Sequence, residues 1–506
     1  MTHPTLTLRG ERVTLRDIGR VARDDARVTL HADARERIVR ARAIVDRVAR
    51  AGTPVYGLNT ALGANTGAAL DPGEFDAYQR HAIEARAVGV GPACATEVVR
   101  AMMAARAAGM AVGGSGASVE VVDALIAMLN AGVHPVVPGR GSIGAADLAP
   151  LAHVALTLLG EGRAEFRGNV VKGGAALASA GLQPVVLRGK DALALISSNA
   201  ATLGHAALVL IDAARVLDLM NVSAAVMHEG FRANLDPLDP HVQEARRGSA
   251  QGAIASRLRT LLEGSALHRI GAARRLQDPL SFRCITQVHG ACLATLHAAR
   301  ALVERDLNAA TESPLVVADT GTMISNGNFD TTDIALAFEA IGLALAHVGS
   351  IAMQRCQRLY SPATSALPLQ LTSHGPRHSG FATAQKTLLS LTSALRHHAQ
   401  AITLNATAVS EGIEDHASLA PLVIDKTAAM LPLLRMVAAV ELISAAQAID
   451  LRNTDHASLA PAMQDVYARV RATVAYLDLD RPLGPEIDAL AGVLHDAAWP
   501  AIDLLA

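Results

Sequence analysis

The chain has 506 residues, of which 51% are hydrophobic and 18% are charged, so it can bury a large core divided among up to about three domains. Its formal net charge of −2 provides no overall field for a polyanion, which argues against nucleic acid as a partner. Aromatic residues make up only 3%, while Ala and Leu are abundant. Because small and unbranched residues favour helices, this composition predicts a mainly α fold.

The cysteines and the N-terminus predict a reduced protein of the cytoplasm. The four cysteines show neither CxxC nor Cys/His zinc spacing, so we expect reduced core residues and no metal site. The first residues, MTHPTLTLRGERVTLRD, lack the apolar stretch of a signal peptide. The longest uncharged run, Ala192 to Ile211, contains Asn199 and His205. We interpret it as a helix buried in a large core rather than a membrane span, and expect no membrane partner.

Apolar periodicity along the chain predicts helices separated by loops rich in Gly, Pro and Asn. The predicted helical stretches are Asp33 to Ala51, Glu74 to Ala111 with a break at GVGPA, Val119 to Asn130, Asp147 to Gly160, most of the chain up to Gly264, a run of helices from Leu296 to Ala346, Ala382 to Ala401 and Pro421 to Asp450, with loops at SNGNFDTTD and SHGPRHSG. The stretch from Val171 to Asp191 can supply at most two short strands. These lengths predict an all-α helical bundle, with a loop-rich region over residues 1–200 and a long-helix bundle over residues 201–506.

Four segments occur in an informative order: YGLNTALG at Tyr56–Gly63, GSIGAADLAPLAH at Gly141–His153, QDPLSFRCITQVHGA at Gln277–Ala291 and EDHASL at Glu414–Leu419. They resemble YGVNTGFG, GSVGASGDLAPLAH, QDPYSLRCxPQVHGA and EDHVSM of the histidine/aromatic amino-acid ammonia-lyase family. The resemblance covers most of the chain. It implies long antiparallel helices of the ammonia-lyase/fumarase type, in a homotetramer whose active sites are shared between chains.

The resemblance also implies a mechanism, from which this chain departs. Family members eliminate ammonia with an electrophilic methylidene-imidazolone (MIO) group, made when an internal Ala-Ser-Gly cyclises and the Ser loses water, while a tyrosine removes the β-proton. Here the loop is one residue shorter and has Ala145, Ala146 and Asp147 in place of that pattern. Because alanine has no hydroxyl to eliminate, we predict a degenerate cofactor loop, no MIO and therefore no cofactor. Leu280 also replaces a second active-site tyrosine, and Ser197 replaces an asparagine.

Other family positions are retained and define the predicted site. Tyr56 is the predicted base or acid, and the planar fork of Arg283 suits a substrate carboxylate. Glu414 either pairs with Arg86, or Arg86 receives a second anionic group of the substrate. Considered without the family, Tyr56 is a packing aromatic of its loop, Arg283 a tether between helices and Asp147 a cap of its own helix. The residues predicted to contact the substrate are Arg86, Asn59, Ser197, Asn199, Gln277, Asn308, Asn328 and Phe329.

Three hypotheses of function follow. The leading one is MIO-independent proton-transfer chemistry on a small carboxylate-bearing molecule: elimination of a better leaving group than ammonia, isomerisation, addition or cyclisation. The first alternative is a catalytically silent paralogue that acts as an oligomeric scaffold or partner. The second alternative is a conventional histidine/aromatic amino-acid ammonia-lyase.

Overall fold

A computed structural model of the chain describes residues 4–52, 54–65, 67–404, 407–495, 499 and 502–505. It is 61% helix and 8% strand, which confirms the predicted mainly α class. Its contacts group the chain into two units. The first unit comprises Met1–Ile211, Ala299–Phe338 and Ile402–Asp425, and the second comprises Asp212–Ala298, Glu339–Ala401 and Lys426–Ala506. This differs from the predicted division at residue 200, because two later segments pack with the N-terminal part.

The helices assigned within these described ranges are α1 (Leu15–Arg23), α2 (Ala32–Ala51), α3 (Phe75–Glu84), α4 (Thr96–Val112), α5 (Val119–Asn130), α6 (Leu148–Leu158), α7 (Gly173–Ser179), α8 (Asp191–Ile196), α9 (Ala200–Phe231), α10 (Pro240–Arg246), α11 (Ser249–Leu261), α12 (Leu280–Arg283), α13 (Ile285–Leu307), α14 (Thr332–Tyr360), α15 (Pro362–Ser365), α16 (Ala384–His398), α17 (Ala420–Leu451), α18 (Pro461–Thr473) and α19 (Gly484–Val493). The strands are β1 (Thr5–Leu8), β2 (Arg27–Leu30), β3 (Val90–Ala93), β4 (Val133–Pro135), β5 (Pro138–Arg140), β6 (Arg163–Phe166), β7 (Asn169–Lys172), β8 (Leu315–Val317) and β9 (Thr322–Ile324).

The core of the first unit depends on close helix packing. The Ala-rich α4 buries residues around its whole circumference from Val99 to Ala111. A Cβ on Gly204 would lie 2.5 Å from the main-chain nitrogen of Met102, so α9 approaches α4 backbone to backbone at this point. Only glycine allows that approach, since any larger residue would push the helices apart.

The strands are short and lie at the edges of this helical core. The parallel pair β1 and β2 has no counterpart among the predicted elements. The sequence GVGPA, predicted only as a helix break, contains β3, which pairs antiparallel with β5. A three-stranded sheet has the order β4-β6-β7. Its last strand, β7, lies partly in the stretch predicted to supply strands, most of which is instead the helix α7 and irregular chain.

The run of helices predicted from Leu296 to Ala346, with a loop at SNGNFDTTD, lacks a hairpin that the structure contains. The structure has α13 and α14, with the antiparallel hairpin β8–β9 between them. The physical reason is the sequence Thr320-Gly321 at the hairpin turn, where Gly321 has a φ of +65°. That backbone conformation ends a right-handed helix and suits a tight turn.

Three helical stretches, Asp191–Phe231, Thr332–Tyr360 and Ala420–Leu451, are long and apolar enough to cross a membrane by length and composition. The most apolar window of the first is 89% buried inside the protein, against 56% and 67% for the other two. The burial of the first agrees with the interpretation of Ala192–Ile211 as a core helix.

The second unit has a paired charge in its core. Arg355 and Glu441 are completely buried, and the guanidinium donates to both carboxylate oxygens, with Nη2 3.0 Å from Oε2. Ser223 donates to the same carboxylate at 2.7 Å. Because removal of either partner would leave an uncompensated buried charge, the pair fixes the arrangement of the helices that carry it.

A second buried charge, Lys190, lies in the first unit. Its ammonium group donates to the carbonyl of Ser115 and its side chain has no exposed surface. The next residue, Asp191, is ion-paired with Arg42 at 3.2 Å. Burial, more than the neighbouring charges, lowers the pKa of Lys190 from its ordinary value of 10.5 to about 8.

This shift predicts a pH dependence of stability. Between about pH 8 and 10.5 the unfolded chain binds the Lys190 proton more fully than the folded chain does. The free energy of unfolding should therefore rise with pH in this window, with a contribution from Lys190 of at most about 1.4 kcal/mol per pH unit. We expect Lys190→Met to remove that contribution and Lys172→Met, at an exposed site, to leave it. Urea unfolding at pH 8, 9 and 10 measures it, and equal slopes in wild type and Lys190→Met would refute the assignment.

Candidate active site

Tyr56 lies in a loop that two tyrosine hydroxyls brace. The hydroxyl of half-buried Tyr56 accepts from the main-chain N–H of Gly63 at 3.0 Å, and that of Tyr78 accepts from Leu62 at 2.9 Å. Buried Asn59 accepts from the main-chain N–H of Val55 at 2.7 Å. The loop therefore holds Tyr56 in a defined place while leaving its ring partly accessible.

The loop also packs closely on α8. Gly57 has a φ of +68°, and a Cβ there would lie 2.4 Å from the side chain of Leu193. Since α8 leads directly into Ser197 and Asn199, the first sequence motif lies against the segment that carries two further predicted site residues.

The predicted cofactor loop is held by the fourth motif. The carbonyl of Gly144 accepts from the hydroxyls of Ser418 at 3.1 Å and Thr331 at 3.3 Å. The main-chain N–H of Leu419 donates to Ile143 at 2.9 Å. A Cβ on Gly144 would lie 2.1 Å from the Ser418 hydroxyl, so glycine is required there. Sequence analysis did not find the roles of Ser418 and Thr331, although Ser418 belongs to the motif EDHASL.

Ala145 and Ala146 lie in the middle of this loop. Ala145 forms an isolated antiparallel bridge with Asp330, next to the predicted site residue Phe329. Ala146 is buried and has a φ of +60°, in the left-handed region that residues with a Cβ rarely adopt. A non-glycine residue in that region is characteristic of strained functional loops.

Asp147 does not cap its own helix, as one interpretation of the sequence held. Its buried carboxylate accepts instead from the main-chain N–H of Thr202 at 2.7 Å and from the Thr202 hydroxyl at 2.9 Å, at the N-terminus of α9. Ser142 donates to the same carboxylate at 2.8 Å. Burial raises the pKa of Asp147, while these hydrogen bonds lower it. Asp147 therefore ties the cofactor loop to α9, a link that no local sequence pattern reveals.

We expect Asp147→Ala to lower the free energy of unfolding by about 2–3 kcal/mol, because it leaves a buried N–H without an acceptor and removes a helix cap. The matched control is Asp455→Ala. Asp455 is exposed and accepts from the N–H of Ala457 at 3.0 Å, so its loss should cost about 0.5–1 kcal/mol. Thermal unfolding of both variants compares them. An equal or smaller effect at Asp147 would contradict its role as the tie.

Ser197 and Asn199 are buried beside this loop. The Ser197 hydroxyl donates to the carbonyl of Ser313 at 3.4 Å. The Asn199 amide donates to Asp306 at 2.9 Å and accepts from Thr311 at 2.8 Å. Both side chains thus have partners within the first unit.

Asn308, Asn328 and Phe329 are placed differently from one another. Asn308 donates to and accepts from the main chain of Val13, at 2.8 and 2.7 Å, so its amide fixes the N-terminal segment. Asn328 is exposed and Phe329 is half-buried. Only these two adjoin the cofactor loop, through the bridge between Ala145 and Asp330.

Arg86 and Glu414 are not paired with each other in the described part of the chain. Half-buried Arg86 donates to the carbonyl of Ala82 at 3.0 Å. Glu414 accepts from the Ser410 hydroxyl at 3.2 Å. The choice between a pair and a substrate contact for Arg86 therefore remains a prediction.

Arg283, Gln277 and Leu280 belong to the second unit. With its amide oxygen turned towards the guanidinium, Gln277 accepts from Arg283, with Nη2 at 3.2 Å. The preceding residue, Phe282, stacks on Phe231 with centroids 4.2 Å apart, which anchors the short helix α12. Leu280 is 64% exposed. Arg283 is half-buried; its described hydrogen-bond partner is a neutral amide, and the carboxylate of Asp278 lies within electrostatic reach of its guanidinium.

Comparison with known proteins identifies this arrangement. The sequence profile of the family described as Aromatic amino acid lyase matches residues 13–472. The chain belongs to this family. The chain is 38% identical over 488 residues to a histidine ammonia-lyase of Symbiobacterium thermophilum, with 96% of each chain covered.

Solved structures agree with the family. The chain superposes with a TM-score of 0.94 and 31% identity on ergothionase of Treponema denticola, described as an ergothioneine-degrading enzyme, covering 97% and 98% of the two chains. It superposes with a TM-score of 0.91 and 30% identity on tyrosine aminomutase of Streptomyces globisporus, covering 97% and 96%. The predicted family and the predicted fold are both confirmed.

These comparisons correct the prediction about the cofactor. We predicted that the chain has no MIO group, and that prediction is wrong by the family evidence. The profile match and the histidine ammonia-lyase relatives imply an MIO cofactor that forms autocatalytically from the chain. They also favour the conventional lyase over the leading hypothesis of MIO-independent chemistry.

The side chains at the family's cofactor position do not fit this group. Ala145 and Ala146 carry no hydroxyl, so these two residues do not supply the serine that the family's motif dehydrates. The residues of the cofactor loop therefore lack the hydroxyl from which the family's MIO group is made.

Proposed function

We propose that this protein is a C–N lyase, which removes the amine substituent and a β-proton from a histidine-like amino acid with a free carboxylate. The observation that carries the proposal is the convergence of three family motifs in one unit, where the Tyr56 loop and Ser418 lie against the segments around α8 and the cofactor loop. The 38% identity to a histidine ammonia-lyase supports the substrate class.

The reaction is a β-elimination with simple atom balance. Tyr56, as its phenolate, takes a proton from the β-carbon, and the electron pair of that C–H bond becomes the second bond between the α- and β-carbons. The C–N bond of the substrate's ammonium group breaks, and its electron pair leaves with the nitrogen, which departs as a neutral amine. The products are an α,β-unsaturated acid and a free amine, and Tyr56 returns its proton to solvent or to the amine.

Arg283 holds the substrate during this reaction. Its guanidinium can donate two parallel hydrogen bonds to a carboxylate, which fixes the position of the α-carbon next to it. Gln277, which accepts from Arg283, then orients the guanidinium. Glu414 and Arg86, which do not contact each other in the described chain, are the proposed specificity residues. The proposed substrate surroundings are Asn59, Ser197, Asn199, Asn308, Asn328 and Phe329.

A second candidate substrate is ergothioneine, favoured by the TM-score of 0.94 to an enzyme described as degrading it. Ergothioneine is a histidine-derived betaine, and its quaternary nitrogen leaves as a neutral trimethylamine. The same base and the same carboxylate anchor would serve both candidates, which differ in the leaving amine and in the sulfur that ergothioneine carries on its imidazole ring.

Substrate turnover tests the proposal. The purified protein is incubated in parallel with L-histidine, L-tyrosine and ergothioneine, and the unsaturated acid is followed by its near-ultraviolet absorbance. We expect a product from histidine or ergothioneine and much less from tyrosine. No turnover of any of the three would overturn the proposal and favour the hypothesis of a catalytically silent paralogue.

The assembly and the location are part of the same proposal. Family members act on small carboxylate substrates and are typically oligomeric. We propose a homotetramer in the cytoplasm, without nucleic-acid or membrane partners. Size-exclusion chromatography with light scattering measures the assembly, and a monomer with full activity would contradict shared active sites.

A further inference from the structure

The second unit contains a cavity of about 760 Å³ that the proposed reaction does not use. It lies between the segments Asn234 to Pro240 and Arg259 to Leu276, and neither Gln277 nor Arg283 lines it. Its volume is in the range typical of small-molecule sites. The cationic side chains that line it are Arg259, His268, Arg269, Arg274 and Arg275.

The lining arginines are not neutralised by carboxylates. Arg259 donates to the carbonyl of Leu238 at 2.6 Å, Arg275 to that of Ala363 at 2.5 Å and Arg274 to that of Thr364. Within the described ranges, no carboxylate lies within 4 Å of these guanidinium groups. Carbonyl oxygens satisfy hydrogen bonds but carry no full charge, so the positive charge of the cavity persists.

The carboxylates of the lining are engaged in their own turns. Asp236 accepts from the Asn234 side chain at 3.0 Å, and Asp239 accepts from the main-chain N–H of His241 at 2.8 Å. Asp278 lies within electrostatic reach of Arg274 and Arg275, and its Oδ2 accepts from Asn234. Asp239 also lies within electrostatic reach of Arg259. These three carboxylates are fewer than the four arginines that line the cavity, so the arginines remain in excess.

Two further arginines add to the positive charge beside the cavity. Arg232 donates to the carbonyl of Ala272 at 2.8 Å, and Arg452 donates to that of Gly230 at 2.8 Å. Burial lowers the pKa of Arg452 to about 10, and the charges of Arg274 and Arg232 contribute to this. Like charges gathered in this way repel each other, and a bound anion would relieve the repulsion.

Two arginines of the lining have unused donors. The Nε atoms of Arg274 and Arg275 are buried without a hydrogen-bond partner among the described residues. The Cζ atom of Arg274 lies over the ring of Phe231, 5.2 Å from its centroid. An Nε–H together with a neighbouring N–H forms the fork that binds two oxygens of a phosphate or carboxylate.

We propose that this cavity binds a small organic oxyanion that carries at least two phosphate or carboxylate charges. We infer that the ligand carries more than one negative charge because four arginines line the same cavity. An organic body follows from the volume, which is far larger than a single inorganic anion needs, and from the apolar side chains of Leu262, Leu267 and Ile270 in the lining. The site is separate from the proposed reaction, so its test does not depend on turnover.

Isothermal titration calorimetry of the full chain tests this proposal, with pyrophosphate and citrate as probes. We expect saturable binding of at least one probe with one site per chain, weakened by added salt. Binding of pyrophosphate alone assigns a phosphate ligand, and binding of citrate alone a carboxylate ligand. Saturable binding of neither probe would overturn the proposal.

Variants locate the binding. Arg274→Gln should weaken it about tenfold or more, from the loss of one charged hydrogen-bonded contact. Arg269→Gln, at an exposed residue of the rim, should weaken it severalfold and leave the fold intact. The matched control is the double variant Arg246→Gln/Arg247→Gln, an exposed arginine pair outside the cavity. Unchanged binding in both cavity variants, or equal weakening in the control, would overturn the proposal.

Discussion

Replacing Tyr56 by phenylalanine is expected to lower kcat by about 10²- to 10⁴-fold, the contribution typical of a positioned general base. The change removes one oxygen atom and with it the only group of this side chain that can take the β-proton. The ring remains, so packing of the loop between Leu58 and α8 should be little altered. Steady-state kinetics with the preferred substrate measures the effect.

The control for this variant is Tyr78→Phe. Both hydroxyls accept a main-chain N–H of the same loop, from Gly63 and from Leu62 respectively. If Tyr56 only braced the loop, the two variants would lose activity equally. We expect Tyr78→Phe to keep kcat within about tenfold of wild type, and a matching loss in both variants would remove Tyr56 from the chemistry.

Replacing Arg283 by glutamine is expected to lower kcat/KM by about 10²-fold or more, mainly through KM. Loss of one partner of a charged hydrogen-bonded contact typically costs 2–5 kcal/mol. Arg283→Lys keeps the charge but not the planar fork, so we expect it to recover only part of the loss. Initial rates over a range of substrate concentrations separate KM from kcat.

A substrate analogue makes this test specific to the carboxylate. The carboxamide of the same substrate has no charge for Arg283 to bind, so wild type should already use it poorly. We expect Arg283→Gln to reduce its kcat/KM by less than about tenfold, since the interaction under test is missing. An equal loss for acid and amide would show that Arg283 stabilises the protein rather than the carboxylate.

The family and the helical class were predictable from the sequence because they depend on local patterns. Helix α5 begins and ends where apolar periodicity placed it, and α2 begins one residue earlier than predicted. The motif around Tyr56 and that around Arg283 each carry their resemblance in fewer than sixteen consecutive residues. Motifs of this length can be recognised without knowledge of the tertiary contacts.

The contacts between distant segments were not predictable. Asp147 and Thr202 are 55 positions apart, and Gly144 and Ser418 are 274 apart, so no periodicity joins them. The strands β1 and β2 are each too short for an alternating pattern to predict them, and their parallel pairing joins separate segments of the chain. The cofactor prediction failed for another reason: it rested on three residues, whereas the comparisons weigh nearly the whole chain.

The cavity lined by Arg259, Arg269, Arg274 and Arg275 could not be predicted from the sequence either. The sequence alone does not distinguish the adjacent pair Arg274-Arg275 from the adjacent pair Arg246-Arg247. The fold leaves the second pair exposed and brings the first together with Arg259 and Arg269 around one cavity. Charge convergence of this kind is a property of tertiary structure.

The most direct measurement for the central claim is the mole ratio of free amine to unsaturated acid formed by the wild-type protein from its preferred substrate. A C–N lyase must release the two in equal amounts, because breaking one C–N bond creates one C=C bond. We therefore expect a ratio of one to one throughout the time course. Formation of a β-amino acid with no free amine, the outcome of an aminomutase, or of amine with no unsaturated acid, would contradict the account.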